Sequence, residues 1–102
     1  MRMGFLEIKM KPNKLYRKAW KTYGRKHQID ILIEEQAELT KALLKARRSK
    51  KKYTSKVIEE LADVRICTDQ LIWRLKKKGL YKGVKKMKVF KLKRLKKILR
   101  EN

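Results

Sequence analysis

Glycine and proline are nearly missing from this chain, and their positions decide what it can build. Its 102 residues contain four glycines and one proline: Gly4, Pro12, Gly24, Gly79 and Gly83. Sheets need frequent turns, which these two residues mostly supply. The stretches between them are long and rich in helix formers instead. The punctuation predicts a short helix over about 13–23, with Asn13 as its cap, and a long helix over 26–48. A second long helix is predicted over 55–78, capped by Thr54 or Ser55 and stopped by Gly79, and a third over 81–100. The basic run Arg47-Arg48-Ser49-Lys50-Lys51-Lys52 makes the turn between the two long helices. No strand pattern and no internal repeat stands out.

Apolar residues recur at helical spacing in each segment. The first long helix carries Ile29, Leu32, Ile33, Leu39 and Leu43, and the second Val57, Leu61, Val64, Leu71 and Leu75. The third carries Val84, Met87, Val89, Phe90, Leu92, Leu95, Ile98 and Leu99. Such stripes are normally core. Short connections favour antiparallel neighbours, so the expected fold is an all-α antiparallel helical bundle. Residues 1–12 are expected as a flexible N-terminal segment and 13–102 as a single helical domain. A chain this small buries a modest core, and association with a second copy is expected to complete it.

Charge divides the chain in three. Residues 1–26 carry nine Lys/Arg against one acid, 27–73 nine against eight, and 74–102 fourteen against one, within a net charge of +22. Strong positive charge favours polyanionic partners: nucleic acid, anionic membrane or phosphorylated small molecules. Many of the lysines are expected simply to be solvated. Cys67 is the only cysteine. It reads as a small helix-interior residue, and a chain with no disulfide fits a reducing cytoplasm. No apolar run approaches a membrane span, and the first ten residues lack a secretory h-region, so a cytoplasmic, non-membrane protein is expected.

Against this basic background the acids are concentrated. Six of ten lie in Glu34-Glu35-Gln36-Ala37-Glu38 and Glu59-Glu60-Leu61-Ala62-Asp63. Residues three and four apart share a helix face, so Glu35 projects with Glu38 and Glu60 with Asp63. Antiparallel helices would bring the two pairs face to face. Two carboxylates about 4 Å apart repel by roughly 4 kcal/mol at an effective dielectric near 20. Such a group needs protons or cations. Hard oxygen ligands without thiolates favour Mg²⁺ or Mn²⁺ over zinc, and the surplus of carboxylates suggests two or more ions. A di-iron bundle would want Glu-x-x-His on two helices, but His27 is the sole histidine. A solvated acidic face is the bland alternative. Aliphatic neighbours such as Ile31, Ile33 and Leu61 argue against it.

The run from Gln28 to Leu39, followed by Ile58-Glu59-Glu60-Leu61-Ala62-Asp63-Val64, resembles the MazG-like all-α nucleoside triphosphate pyrophosphohydrolases, in short single-domain form. Their pattern is Glu-Glu-x-x-Glu, a spacer, then Glu-x-x-Asp. The resemblance covers about residues 20–100, and its closing part is an unusually lysine-dense version of the family's third helix. It implies Mg²⁺, with Mn²⁺ as substitute, held by Glu35, Glu38, Glu60 and Asp63. Either Glu34 or Glu59 would orient or deprotonate the attacking water, Glu34 being the first choice. Lys91 and Arg94 would contact the triphosphate, with Lys45, Arg47 and Arg48 as secondary candidates. Gln28 would touch the nucleobase, and Trp20 or Tyr23 would stack on it. The implied reaction converts a (deoxy)nucleoside triphosphate to monophosphate and pyrophosphate, as in nucleotide-pool cleansing. It also implies a homo-dimer or tetramer with sites near subunit contacts.

Two other readings compete. The basic flanks suit a non-enzymatic helical protein that binds nucleic acid, although no recognised binding motif is present and clustered acids would repel phosphate unless metal were bound. Residues 84–100 could also form a lysine-rich amphipathic helix on a membrane surface. A core-facing bundle helix is the favoured expectation for that segment.

Overall fold

The computed structural model describes residues 11–101. Among them are three helices and no strand: α1 (Pro12–Arg48), α2 (Ser55–Lys77) and α3 (Tyr81–Glu101). The expected all-α class holds, with boundaries close to those the punctuation predicts. The expectation for residues 1–10 lies outside the described residues. The chain divides into two compact units, Met1–Leu71 and Ile72–Asn102.

In the first unit, Gly24 breaks α1. Its backbone is non-helical at φ 85° and ψ 168°, a conformation that side chains with a Cβ rarely adopt. The predicted separation of a short helix from a long one therefore survives as a kink within α1. The start differs from expectation: Lys11 occupies the N-cap without a side-chain bond and Pro12 follows it. Proline suits the first turn because its missing N–H would go unpaired there anyway, so Asn13 is not needed as a cap.

The α1–α2 turn uses both ends. Lys51 N–H reaches Ala46 O at 2.9 Å and Lys50 N–H reaches Arg47 O at 3.2 Å, closing α1 in a Schellman motif. Lys50 sits at φ 59°, where glycine is usual. Thr54 Oγ1 then accepts from Val57 N–H at 3.2 Å and caps α2, as predicted. Small residues line the helix contact beside the turn: Ala42 and Ala46 from α1 pack with Val57 from α2. Leu32 and Trp20 are also buried, while Ile33, Leu43, Ile58 and Leu61 remain exposed. Three of those four, Ile33, Leu43 and Leu61, were expected in the core.

In the second unit, Gly79 ends α2 at φ 73°. Leu80 N–H bonds Leu75 O at 2.9 Å and Gly79 N–H bonds Lys76 O at 3.1 Å, a second Schellman motif, here with the residue the conformation prefers. Lys76 Nζ lies 4.7 Å from the Tyr81 ring centroid. Every residue of α3 after Tyr81 is exposed. The expectation that Val84, Met87, Val89, Phe90, Leu92, Leu95, Ile98 and Leu99 are core residues is thus corrected. Lysines punctuate their stripe, with Lys88 and Lys91 among them, so the surface is only partly apolar.

Candidate functional site

Carboxylates from both helices of the first unit converge. One ligand oxygen each from Glu35, Glu60 and Asp63 lies within 4.8 Å of the others. The register is fixed elsewhere on the same face, where Gln28 Nε2 donates to Gln70 Oε1 at 2.6 Å. Glu35 follows Gln28 by seven residues and Asp63 precedes Gln70 by seven. In antiparallel helices the register that joins the amides also sets Glu35 against Asp63, about two turns away.

The three acids live in different surroundings. Glu60 is buried, its side chain only 6% exposed, and Lys56 Nζ approaches its Oε1 to 2.9 Å from one turn earlier. The same ammonium lies 3.7 Å from Glu59, whose side chain stays exposed. Hydrogen bonding to Glu60, then the charges of Glu59 and Glu60, hold Lys56 above its usual pKa. Glu35 is half-buried. Desolvation first, then the negative charges of Asp63 and Glu60, push its carboxyl upward. A hydrogen bond with Asp63 and the charge of Glu38 add to the shift. A bond between two carboxyl groups requires a proton on one of them. Cys67 sits one turn beyond Asp63, its thiol raised by burial and then by Glu35 and Asp63. A thiol so placed is protonated near neutrality.

Glu38 stands outside the trio and is exposed, yet close enough to raise both Glu35 and Lys56. It lines a cleft of about 290 Å³ together with Lys41, Lys45, Arg48 and Lys56. Four cations and one carboxylate therefore share a concavity next to the acidic trio. Of the turn residues singled out from sequence, Lys45 and Arg48 line this cleft and Arg47 does not. Glu34 is exposed on α1. Trp20 is buried, and Tyr23 is exposed with its ring stacked on His27 at 4.8 Å. Lys91 and Arg94 belong to α3 and are exposed.

Three contributors went unassigned in the sequence reading. Lys56 was visible as a neighbour of the acids, and its i,i+4 spacing to Glu60 was the available signal. Lys41 follows Glu38 by three residues and Gln70 follows Asp63 by seven, so both share the acidic stripe. Neither spacing distinguishes a site from a solvated face until the partner helix is in place.

The donor set suits a hard divalent cation. Its oxygens are carboxylates, the Cys67 thiol beside them is raised and protonated near neutrality, and Lys56 supplies positive charge next to Glu60. Glu35, Glu60 and Asp63 are the residues that would hold it, with Glu38 at the edge. The two aspartates outside the acidic runs have partners of their own: Asp30 pairs with Lys26 at 3.3 Å and Asp69 with Arg65 at 3.2 Å. Compared with protein-family models, curated proteins and solved structures, the chain matches none.

Proposed function

We propose that this chain is a Mg²⁺-dependent nucleoside triphosphate pyrophosphohydrolase of the MazG-like type, releasing monophosphate and pyrophosphate. One observation carries the reading: the order of side chains along the α1–α2 face. A cationic cleft (Lys41, Lys45, Arg48, Lys56) comes first, then the carboxylates (Glu38, Glu60, Glu35, Asp63), then the amides (Gln28, Gln70). That sequence matches the terminal phosphates, the α-phosphate and the nucleoside of the substrate in turn.

In this arrangement the cleft cations bind the β- and γ-phosphates and stabilise charge on the departing pyrophosphate. A divalent ion held by Glu35, Glu60 and Asp63 would supply Lewis-acid polarisation and a more acidic water. Glu60 keeps its position because it is buried and braced by Lys56. Glu59 lies 3.7 Å from Lys56, which lines the cleft, and this proximity favours it over Glu34 as the group that orients the attacking water. Lys91 and Arg94 remain candidates for further phosphate contacts.

A second copy completes the protein in this reading, as a dimer or a tetramer. The exposed Ile33, Leu43, Ile58 and Leu61 flank the acidic stripe, and the buried core of the described residues is small. The test is a nucleotide panel with Mg²⁺ in which pyrophosphate and phosphate release are measured separately. Pyrophosphate with monophosphate supports attack at the α-phosphorus. Stepwise phosphate release would refute it.

A nucleic-acid-binding role is the second reading, and α3 favours it. Ten Lys/Arg lie between Lys82 and Arg100, all exposed, with no acid among them. Backbone binding of that kind is electrostatic and strongly salt-dependent. Duplex binding without any nucleotide hydrolysis would support it over the enzyme.

A further inference from the structure

The proposed reaction uses little of α3, whose surface has two parts. At 3.6 residues per turn, Val84, Met87, Leu92, Leu95, Ile98 and Leu99 fall within one arc about 140° wide. These six are 40% to 64% exposed, so the described residues leave the arc uncovered. An open groove of about 710 Å³ runs along it, and every residue lining that groove, from Gly83 to Leu95, belongs to α3. The rest of the helix is cationic. Of the ten Lys/Arg between Lys82 and Arg100, Lys88 and Lys91 lie inside the arc and the others outside it, with no acid among them. Val89 and Phe90 are the apolar residues on that cationic side.

We infer that α3 is a surface anchor for a bilayer that carries anionic lipid. The helix lies among the headgroups with its apolar arc turned toward the acyl chains. Charge and amphipathicity together select this occupant. Lysines on one side and aliphatic side chains on the other are the pattern of helices that lie at a lipid–water interface. Anionic headgroups take the lysines, and the acyl boundary takes the arc. Lys88 and Lys91 fit the same geometry, because their four-carbon stems follow apolar surface while the ammoniums reach lipid phosphates. No helix among the described residues is long and apolar enough to cross a membrane, so the contact is with one leaflet.

Other occupants use less of the helix. A nucleic-acid duplex would take the cations and leave the arc in water. A second copy of α3 packed on the arc would set ten cations against ten. At an interaxial distance of about 8–10 Å, no more than a Debye length, those charges repel. The inference is independent of the hydrolase reading, since neither nucleotide nor Mg²⁺ enters its test.

The test is flotation of the full chain with vesicles of phosphatidylcholine plus phosphatidylglycerol, and with vesicles of phosphatidylcholine alone. The chain is expected to float with the first and not with the second. Leu92→Gln with Leu95→Gln keeps the charge and removes aliphatic contact. It should weaken vesicle binding about tenfold or more and leave any binding to duplex DNA unchanged. Lys82→Gln with Lys86→Gln should lose about fivefold per charge on the anionic vesicles. Circular dichroism reports whether both variants stay helical. A salt series on the wild type needs no substitution: binding through lysines alone disappears as charges are screened, whereas a seated arc retains part of it. The inference falls if the wild type does not float, if the leucine variant floats as the wild type does, or if salt abolishes binding entirely. Capture of duplex DNA without vesicle binding would assign α3 to nucleic acid instead. An oligomer that the leucine variant loses, with no vesicle binding by the wild type, would assign the arc to a second copy.

Discussion

Lys56 Nζ stands 2.9 Å from Glu60 Oε1, and the two ends of this pair have different access to water. The lysine side chain is 60% exposed and the carboxylate 6%. An exposed ion pair alone contributes little to stability, but a buried carboxylate without its cation is costly. Lys56→Met should therefore lower the melting temperature of the metal-free protein, and added Mg²⁺ should recover most of the loss by replacing the missing charge. Melting curves with and without Mg²⁺ check this. If Mg²⁺ left the variant's deficit unchanged, Glu60 would not face the ion.

The raised carboxyl of Glu35 predicts an unusual pH response. Glu35 holds its proton more tightly in the folded chain than at the ordinary value of 4.5. Between that value and its raised one the folded state binds more protons than the unfolded state, so this group's contribution to stability grows as pH falls through the window. An acid in a salt bridge behaves in the opposite way. Just above pH 4.5 the metal-free protein should melt higher than its other acids would allow, and Glu35→Gln should flatten the difference. Saturating Mg²⁺ should reverse the trend, because the ion binds the deprotonated pair. Thermal melts across pH, with and without the ion, measure all three slopes.

Lys50 holds the left-handed position of a Schellman motif at φ 59°, a conformation that costs an L-residue roughly 1–2 kcal/mol. Lys50→Gly relieves this without touching the acidic trio. The variant should gain about 1 kcal/mol in denaturant unfolding, less the entropy glycine adds to the unfolded chain, with kcat unaltered. Gly24→Ala is the converse. Space around its Cβ is open, but φ 85° is strained for alanine, so the kink should shift and stability fall.

The helices were legible because their boundaries are local. Pro12, Thr54 and Gly79 act through bonds to residues within a few positions, and their chemistry is written in the sequence. Glu35, Glu60 and Asp63 could be paired in advance for the same reason, since the i,i+3 spacing and an antiparallel turn leave little freedom. What failed to show was the consequence of the other helix. Glu38 and Glu35 look equivalent on α1, and only the partner helix separates them, setting Glu35 beside Glu60 and Asp63 and bringing Lys56 to the cleft that Glu38 lines. The exposure of Leu61 and of α3 was misjudged because the spacing of an apolar stripe does not say whether the rest of the chain packs over it.

Ile33 and Leu61, on α1 and α2, are 58% and 54% exposed beside the acidic stripe. If a second copy covers them, Leu61→Asp should convert the protein from a dimer or larger species to a monomer, and hydrolysis should drop with it. Light scattering at micromolar concentration and pyrophosphate release report the two effects. A wild-type monomer with full activity would remove the shared-site picture.

The basic face of α3 separates the enzyme from the nucleic-acid binder. Lys91 and Arg94 lie three residues apart and share a helix face, whereas Lys96 and Lys97 are adjacent and splay apart. A phosphate-binding pair acts locally, and each group in such a site is worth on the order of 10²-fold in rate. Replacing Lys91 and Arg94 by Ala should therefore lower kcat/KM for a nucleoside triphosphate far more than replacing Lys96 and Lys97. A helix that binds nucleic acid only counts charges. Both double variants would then weaken binding alike, each reducing the salt slope by about two. On the hydrolase reading the unequal result is expected, because only Lys91 and Arg94 share a helix face. Small, equal effects on hydrolysis would strip Lys91 and Arg94 of their role and leave the cleft of Lys41, Lys45, Arg48 and Lys56 as the sole phosphate site.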